Sequence, residues 1–174
     1  MRQNKGRRAN SHGFTLIEII VVLAIIGIAA ALVFPRLPSA ENEKLKTSAH
    51  TLAATFRYLQ DRAATAKRTY VTLIEPGTDN IKIWEQVVGG GEKHPDDPFL
   101  CKQALRKNIR VADVVIPRLG KITHGQVRFD LGVDGLKDFV TIHLRSSDGD
   151  YQTVMLFPAN GKIKVYDGYR EEAL

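Results

Sequence analysis

Gly13-Phe14-Thr15-Leu16-Ile17-Glu18-Ile19-Ile20-Val21-Val22-Leu23-Ala24-Ile25-Ile26-Gly27-Ile28-Ala29-Ala30-Ala31-Leu32-Val33-Phe34-Pro35 is the stretch whose reading decides how this chain is organised. Between Ile19 and Phe34 it carries no charged or strongly polar side chain. Wound as a helix from Phe14 to Phe34 it rises about 30 Å, the thickness of a bilayer's hydrocarbon core. Glu18 alone breaks the pattern. A carboxylate inside a bilayer costs about 2–4 kcal/mol, so an acid in that position calls for a functional partner. Upstream lie Arg2, Lys5, Arg7 and Arg8 with no acidic residue, and such a basic head stays cytoplasmic while the chain beyond Pro35 is exported.

The order of basic head, Gly13, Phe14, Glu18 and an unbroken apolar run resembles the prepilin processing motif of type IV pilins and type II secretion pseudopilins. The resemblance implies cleavage between Gly13 and Phe14 by a prepilin peptidase and N-methylation of the new Phe14 terminus. It further implies storage in the inner membrane and assembly with other pseudopilins into a filament. Gly27 and Pro35 fall where many relatives carry a helix-loosening glycine and proline. The role of Glu18 also follows from electrostatics. Cleavage leaves an α-ammonium on Phe14, and a Glu18 carboxylate can meet the Phe14 ammonium of a neighbouring subunit. An unpaired charge in a low-dielectric bundle is much costlier than a paired one, so the pair selects register. Glu18 is thus expected to be an assembly residue and not a catalytic one. Two plainer readings remain: a secretory signal peptide cleaved after Ala29-Ala30-Ala31, leaving Leu32 first, and a simple single-pass anchor.

Charge then excludes one class of function. The chain has 25 Lys and Arg against 19 Asp and Glu, a net charge of +6. Without the four basic residues of the head, 21 face 19, so the basicity belongs to the targeting segment and no nucleic-acid partner is expected. Cys101 is the only cysteine, which rules out an intrachain disulfide and suggests a small, half-buried apolar residue.

Pro35 and Pro38 are expected to kink or break the helix as it leaves the apolar stretch. Ser39 then caps a restarted helix with Glu41 and Glu43 in its first turn. From Glu41 to Lys67 a stripe of Leu45, Ala49, Leu52, Phe56, Leu59, Ala63 and Ala66 recurs at helical spacing. Its three alanines favour a helix laid on its own domain's sheet over a coiled-coil partner helix. After Arg68 the period falls to two. Tyr70–Ile74 and Ile81–Trp84 read as a hairpin, and Glu85–Asn108 as an irregular stretch with a short helix capped by Asp97 over 98–105. Ile109–Ile116 reads as a further strand. Alternation returns at Val127/Phe129/Leu131, Val140/Ile142/Leu144, Val154/Leu156 and Ile163/Val165. Asp148-Gly149 and Asn160-Gly161 mark the turns of a closing antiparallel meander with a second sheet behind it. The expected class is α+β: a long N-terminal helix packed on an antiparallel β-rich head. The expected division is a leader 1–13, a membrane and assembly helix 14–35, an amphipathic helix 36–68 and a periplasmic head 69–174.

Tyr70-Val71-Thr72-Leu73, Trp84, Val127-Arg128-Phe129-Asp130 with Asp134-Gly135, and Asn160-Gly161-Lys162-Ile163-Lys164-Val165 together resemble the H-type minor pseudopilin of the general (type II) secretion pathway. That resemblance implies a filament subunit whose head meets other pseudopilins or secreted cargo. Minor pilins of type IV pilus systems share the head, and the pattern does not divide the two; a released periplasmic binding module is the rival from another class. Catalytic and metal sites are not expected. His12, His50, His94, His124 and His143 are scattered, no nucleophile elbow or nucleotide-binding glycine loop occurs, and Gly89-Gly90-Gly91 reads as a linker. Major pseudopilins bind calcium in a C-terminal loop, but neither Asp130–Gly135 nor Asp96-Asp97 offers enough spaced oxygens for it. No cofactor is expected.

Overall fold

The computed structural model describes residues 14–33, 39–87, 89–158 and 161–171. It divides the chain into two units, Met1–Pro38 and Ser39–Leu174. In the first, α1 (Leu16–Val33) begins at a threonine cap, with the Glu18 amide donating to Thr15 Oγ1 at 3.3 Å. Its large apolar side chains are exposed, from Leu16 at 79% to Leu32 at 61%. It begins at Leu16 where a helix over 14–35 was expected, and residues 34 and 35 lie outside the described residues. Its 18 residues rise about 27 Å, and among the described residues no helix is long and apolar enough to cross a membrane. Phe34, Pro35 and Pro38, with the expected kink, lie outside the described residues.

The second unit opens as expected. Ser39, in extended conformation, accepts the Asn42 amide on its Oγ at 3.1 Å, and α2 (Ala40–Ala66) follows with Glu41 and Glu43 in its first turn. It stops where Lys67 turns left-handed, φ 51°, and donates its amide back to Ala63. The stripe Leu45, Ala49, Leu52, Phe56, Leu59 and Ala63 is fully buried, joined by Ala53, Ser48 and Thr55. Ala66, at the fraying end, is only half-buried.

This stripe lies on ten strands in two five-stranded antiparallel sheets. The first sheet holds β1 (Tyr70–Ile74), β2 (Ile81–Gln86), β3 (Glu92–Lys93), β6 (Val127–Gly132) and β7 (Gly135–Leu136), in the order β3-β2-β1-β6-β7. The second holds β4 (Arg110–Ile116), β5 (Gly120–Ile122), β8 (Val140–Arg145), β9 (Tyr151–Leu156) and β10 (Ile163–Asp167), in the order β10-β9-β8-β4-β5. The first hairpin forms with Tyr70 opposite Glu85 and Ile74 opposite Ile81, and the closing meander β8-β9-β10 forms as well. Gly149, at φ 95°, makes the β8–β9 turn, which closes with the Ser146 amide on Asp150 O. β3, β5 and β7 escape prediction because two or three residues are too few to show a period.

Helix α2 packs against β6 and β7 of the first sheet and β8, β9 and β10 of the second, the helix-on-sheet arrangement its alanines favoured. Phe56 meets Phe129 of β6 with ring centroids 5.8 Å apart. The helix expected over 98–105 is absent. Residues 98–101 make a hydrogen-bonded turn on Asp97, and the chain then straightens to bury Leu100 at 5% and Leu105 at 4% exposure. Asp97 does cap, accepting the Phe99 amide at 2.9 Å, but burying both leucines under the sheet outweighs a further helical turn. Because Phe56 is wholly buried at the helix–sheet seam, Phe56→Ala is expected to destabilise the head by about 3–5 kcal/mol, read as a lowered denaturant midpoint in equilibrium unfolding.

Candidate functional site

Of the expected processing and assembly residues at the front of the chain, the structure describes Phe14 and Glu18. Phe14 is 78% exposed just before α1; Gly13 lies outside the described residues. Glu18 occupies the first turn of α1, where the helix dipole favours a negative charge. It is exposed, and among the described residues it makes no ion pair. Glu18 thus stands one turn from Phe14 with its carboxylate unanswered within the described part of the chain.

The head holds a polar cluster that the sequence did not reveal. His143 on β8 is fully buried; its Nδ1 is 2.6 Å from Asp113 Oδ1 and its Nε2 is 2.9 Å from the main-chain O of Arg170. Tyr169 stacks on the imidazole at 3.8 Å and donates its hydroxyl to Asp113 at 3.3 Å, while the Lys121 ammonium sits 4.8 Å over the tyrosine ring. Burial raises the Tyr169 pKa, and the hydrogen bond with Tyr169 raises that of Lys121. The cluster exists because β4 bulges. Val111 faces Leu144 but Asp113, not Ala112, faces His143, so the extra residue turns the acid onto the histidine's face. Thirty residues separate Asp113 from His143, and no local spacing signals them.

Both imidazole nitrogens are engaged by acceptors, and the hydroxyls nearest the ring, those of Tyr169 and Thr153, are themselves spent on Asp113 and on the main chain of Gly168. The cluster is a tie. Together with Thr153, which donates to Gly168 O at 2.7 Å and accepts the Arg170 amide at 3.0 Å, it straps residues 168–171 across the outer face of the second sheet. His143→Leu is expected to speed amide exchange over residues 168–171 tenfold or more, from the loss of about 1.5–3 kcal/mol of charge-assisted bonding, as read by hydrogen-exchange mass spectrometry.

Other candidate residues are placed less centrally. Cys101 is exposed and not half-buried, because the 98–101 turn points it outward with Sγ donating to Pro95 O at 3.4 Å. Trp84 stacks on His94 at 4.1 Å. Three of the acidic candidates for calcium are answered by protein groups: Asp96 by Lys93 at 2.8 Å, Asp130 by Arg128 at 3.7 Å, and Asp97 by the Tyr58 hydroxyl; Asp134 is exposed. Among the described residues no three His, Cys, Asp or Glu gather as metal ligands.

The hydrogen bond from Tyr58, and after it the Phe99 amide, hold the Asp97 carboxyl below the ordinary carboxylate range. A depressed folded-state value means that this stabilisation is complete above about pH 4 and is lost as pH falls through the lower folded value. The melting-temperature gap between the native chain and Tyr58→Phe is therefore expected to be open at pH 7 and to narrow steadily toward pH 2 in scanning calorimetry.

Comparison with known proteins bears on both units. Residues 8–34 match the prokaryotic N-terminal methylation motif. The chain carries a methylation motif at its front. No curated protein matches the sequence. Among solved structures, the minor pseudopilin EpsH from the type 2 secretion system of Vibrio cholerae is similar at a TM-score of 0.56 and 14% identity, over 71% of this chain and 97% of that one. The fold is therefore that of the EpsH structure, an α+β arrangement of helix on two antiparallel sheets.

Proposed function

We propose that this chain is a minor pseudopilin of a type II secretion system, a structural and non-enzymatic subunit of a periplasmic filament. The observation that carries the reading is the joining of a methylation motif over residues 8–34 to a head folded like that of the EpsH pseudopilin. Prepilin peptidase cuts between Gly13 and Phe14 and the new amine is methylated. The exposed apolar surface of α1, together with the apolar residues flanking it in sequence, holds the subunit in the inner membrane, with the head in the periplasm. Assembly then draws α1 from lipid into a bundle of like helices.

Within that bundle Glu18 answers the Phe14 ammonium of a neighbour. Its carboxylate is unpaired among the described residues, so it is free to accept an intersubunit partner. Methylation leaves the ammonium charged, and the pair fixes the axial stagger of subunits more sharply than apolar packing, which tolerates sliding. The head supplies lateral contacts to other pseudopilins and to cargo.

Mass spectrometry of the N-terminal peptide of membrane-extracted protein tests the processing step. N-methyl-Phe14 is expected; a chain beginning at Leu32, or one keeping its leader, overturns the reading. Glu18→Ala is expected to leave the Phe14 terminus intact while lowering co-assembly with partner pseudopilins tenfold or more, corresponding to about 1.5–3 kcal/mol of lost charge-assisted pairing. Undiminished incorporation into filaments would remove Glu18 from that role. Cross-linking of cysteine-substituted heads in the native membrane separates a secretion subunit from a pilus subunit by the components recovered.

A further inference from the structure

The first sheet ends in an edge that is only partly covered. β3 pairs with β2 at Glu85 and Gln86 alone, leaving residues 81–84 as the outermost strand. The register decides which main-chain groups point outward. Glu75 donates to Asn80 O and Gln86 to Thr69 O, so the even-numbered residues of β2 bond to β1. The N–H and C=O groups of Ile81 and Ile83 therefore point away from the sheet, in line with those of Glu85, which pair with Lys93. Among the described residues nothing bonds to them.

A groove of about 590 Å³ runs along this edge. Residues 79–83 make one wall; His94, Pro95 and residues 100–103 make the other. The walls are pinned at both ends. Gln103 Nε2 donates to Asp79 Oδ2 at 2.7 Å across one end, and His94 stacks on Trp84 at the other. The second wall keeps a whole sheet from reaching the edge, so the groove admits one extended segment that is not already part of a sheet. Ile83 and Leu100, both nearly buried, line it with apolar surface. Lys82 and Lys102 are exposed on its walls and make no ion pair among the described residues, whereas the acid there, Asp79, is already engaged by Gln103.

We propose that this groove is a docking site for an extended acidic segment of another polypeptide, which adds to the first sheet as a strand beside β2. Its main chain exchanges hydrogen bonds with Ile81 and Ile83, its alternate apolar side chains rest on Ile83 and Leu100, and its carboxylates face Lys82 and Lys102. The main-chain bonds hold the segment while the two lysines select for acid. The site goes beyond the filament reading and depends on neither processing nor assembly.

The test uses the full chain in detergent micelles and the peptide acetyl-Val-Glu-Val-Glu-Val-Glu-amide, with residue-resolved amide exchange followed by NMR. Saturating peptide is expected to slow exchange of the Ile81 and Ile83 amides tenfold or more and to leave Lys82 and Trp84, already bonded to β1, unchanged. The same peptide methylated on its amide nitrogens is expected to give no slowing. Lys82→Glu with Lys102→Glu, both at exposed positions, is expected to abolish the response in a folded head. Unaltered exchange at Ile81 and Ile83 overturns the proposal, as does equal protection by the methylated peptide or by a lysine–valine peptide. A concentration-dependent dimer, trapped through Cys101 and protecting the same amides without peptide, would assign the groove to a second copy and overturn it equally.

Discussion

One apolar stripe along α2 holds the head together. Leu45, Leu52, Phe56 and Leu59 are wholly buried, and the helix that carries them touches strands of both sheets. Neither sheet covers the other's inner face alone; the helix is the surface they share. A hydrophobic driving force of about 25 cal/mol per Å² acts only on area withdrawn from water, and here that withdrawal requires all three layers at once. Ala49, Ala53 and Ala63 let the helix backbone approach the strands, which larger side chains would hold off. Ser48, buried within the stripe, accepts the Arg106 amide at 3.0 Å and ties the long connection before β4 to the same helix.

The outer face of the second sheet is organised differently. There the register sets Asp113, His143, Thr153 and Tyr166 in one row across four strands. Buried polar groups are tolerable only when their bonds are made, and the strap at 168–171 makes them. A histidine suits the position because it offers two opposed ring nitrogens, one toward a side-chain acid and one toward a main-chain carbonyl. A bulge in β4 brings the acid into line. The result is a closed, stiff face, in contrast to the open edge at Ile81 and Ile83 on the first sheet.

The two units of the chain obey opposite solvent logic. The head hides its apolar side chains, while α1 exposes nearly all of its own, and an exposed run of this kind needs lipid or other helices around it. A single acid on such a surface is costly in lipid and useful in a helix bundle, where a defined partner turns the cost into register. The proposed filament role and the proposed groove thus sit on separate parts of the molecule: one on α1, selecting how copies stack, and one on the head, selecting what else attaches.

Much of this was legible in the linear chain, and for a local reason. Gly13, Phe14 and Glu18 stood out as candidates because their motif is contiguous. The α2 stripe, its Ser39 cap, the first hairpin and the closing meander were readable because helix and strand periods are local properties of side-chain order. Where local rules met long-range packing they gave way: the turn at Asp97 does not extend to a helix because Leu100 and Leu105 are drawn inward, and Cys101 is turned out as a consequence. The sorting of strands into two sheets, with β6 returning to β1, the Asp113–His143 tie, and the uncovered edge of β2 were decided only by tertiary structure. Each depends on which residues far apart in the chain become neighbours, and on a one-residue bulge that changes which side chain faces which; neither leaves a trace in composition or period.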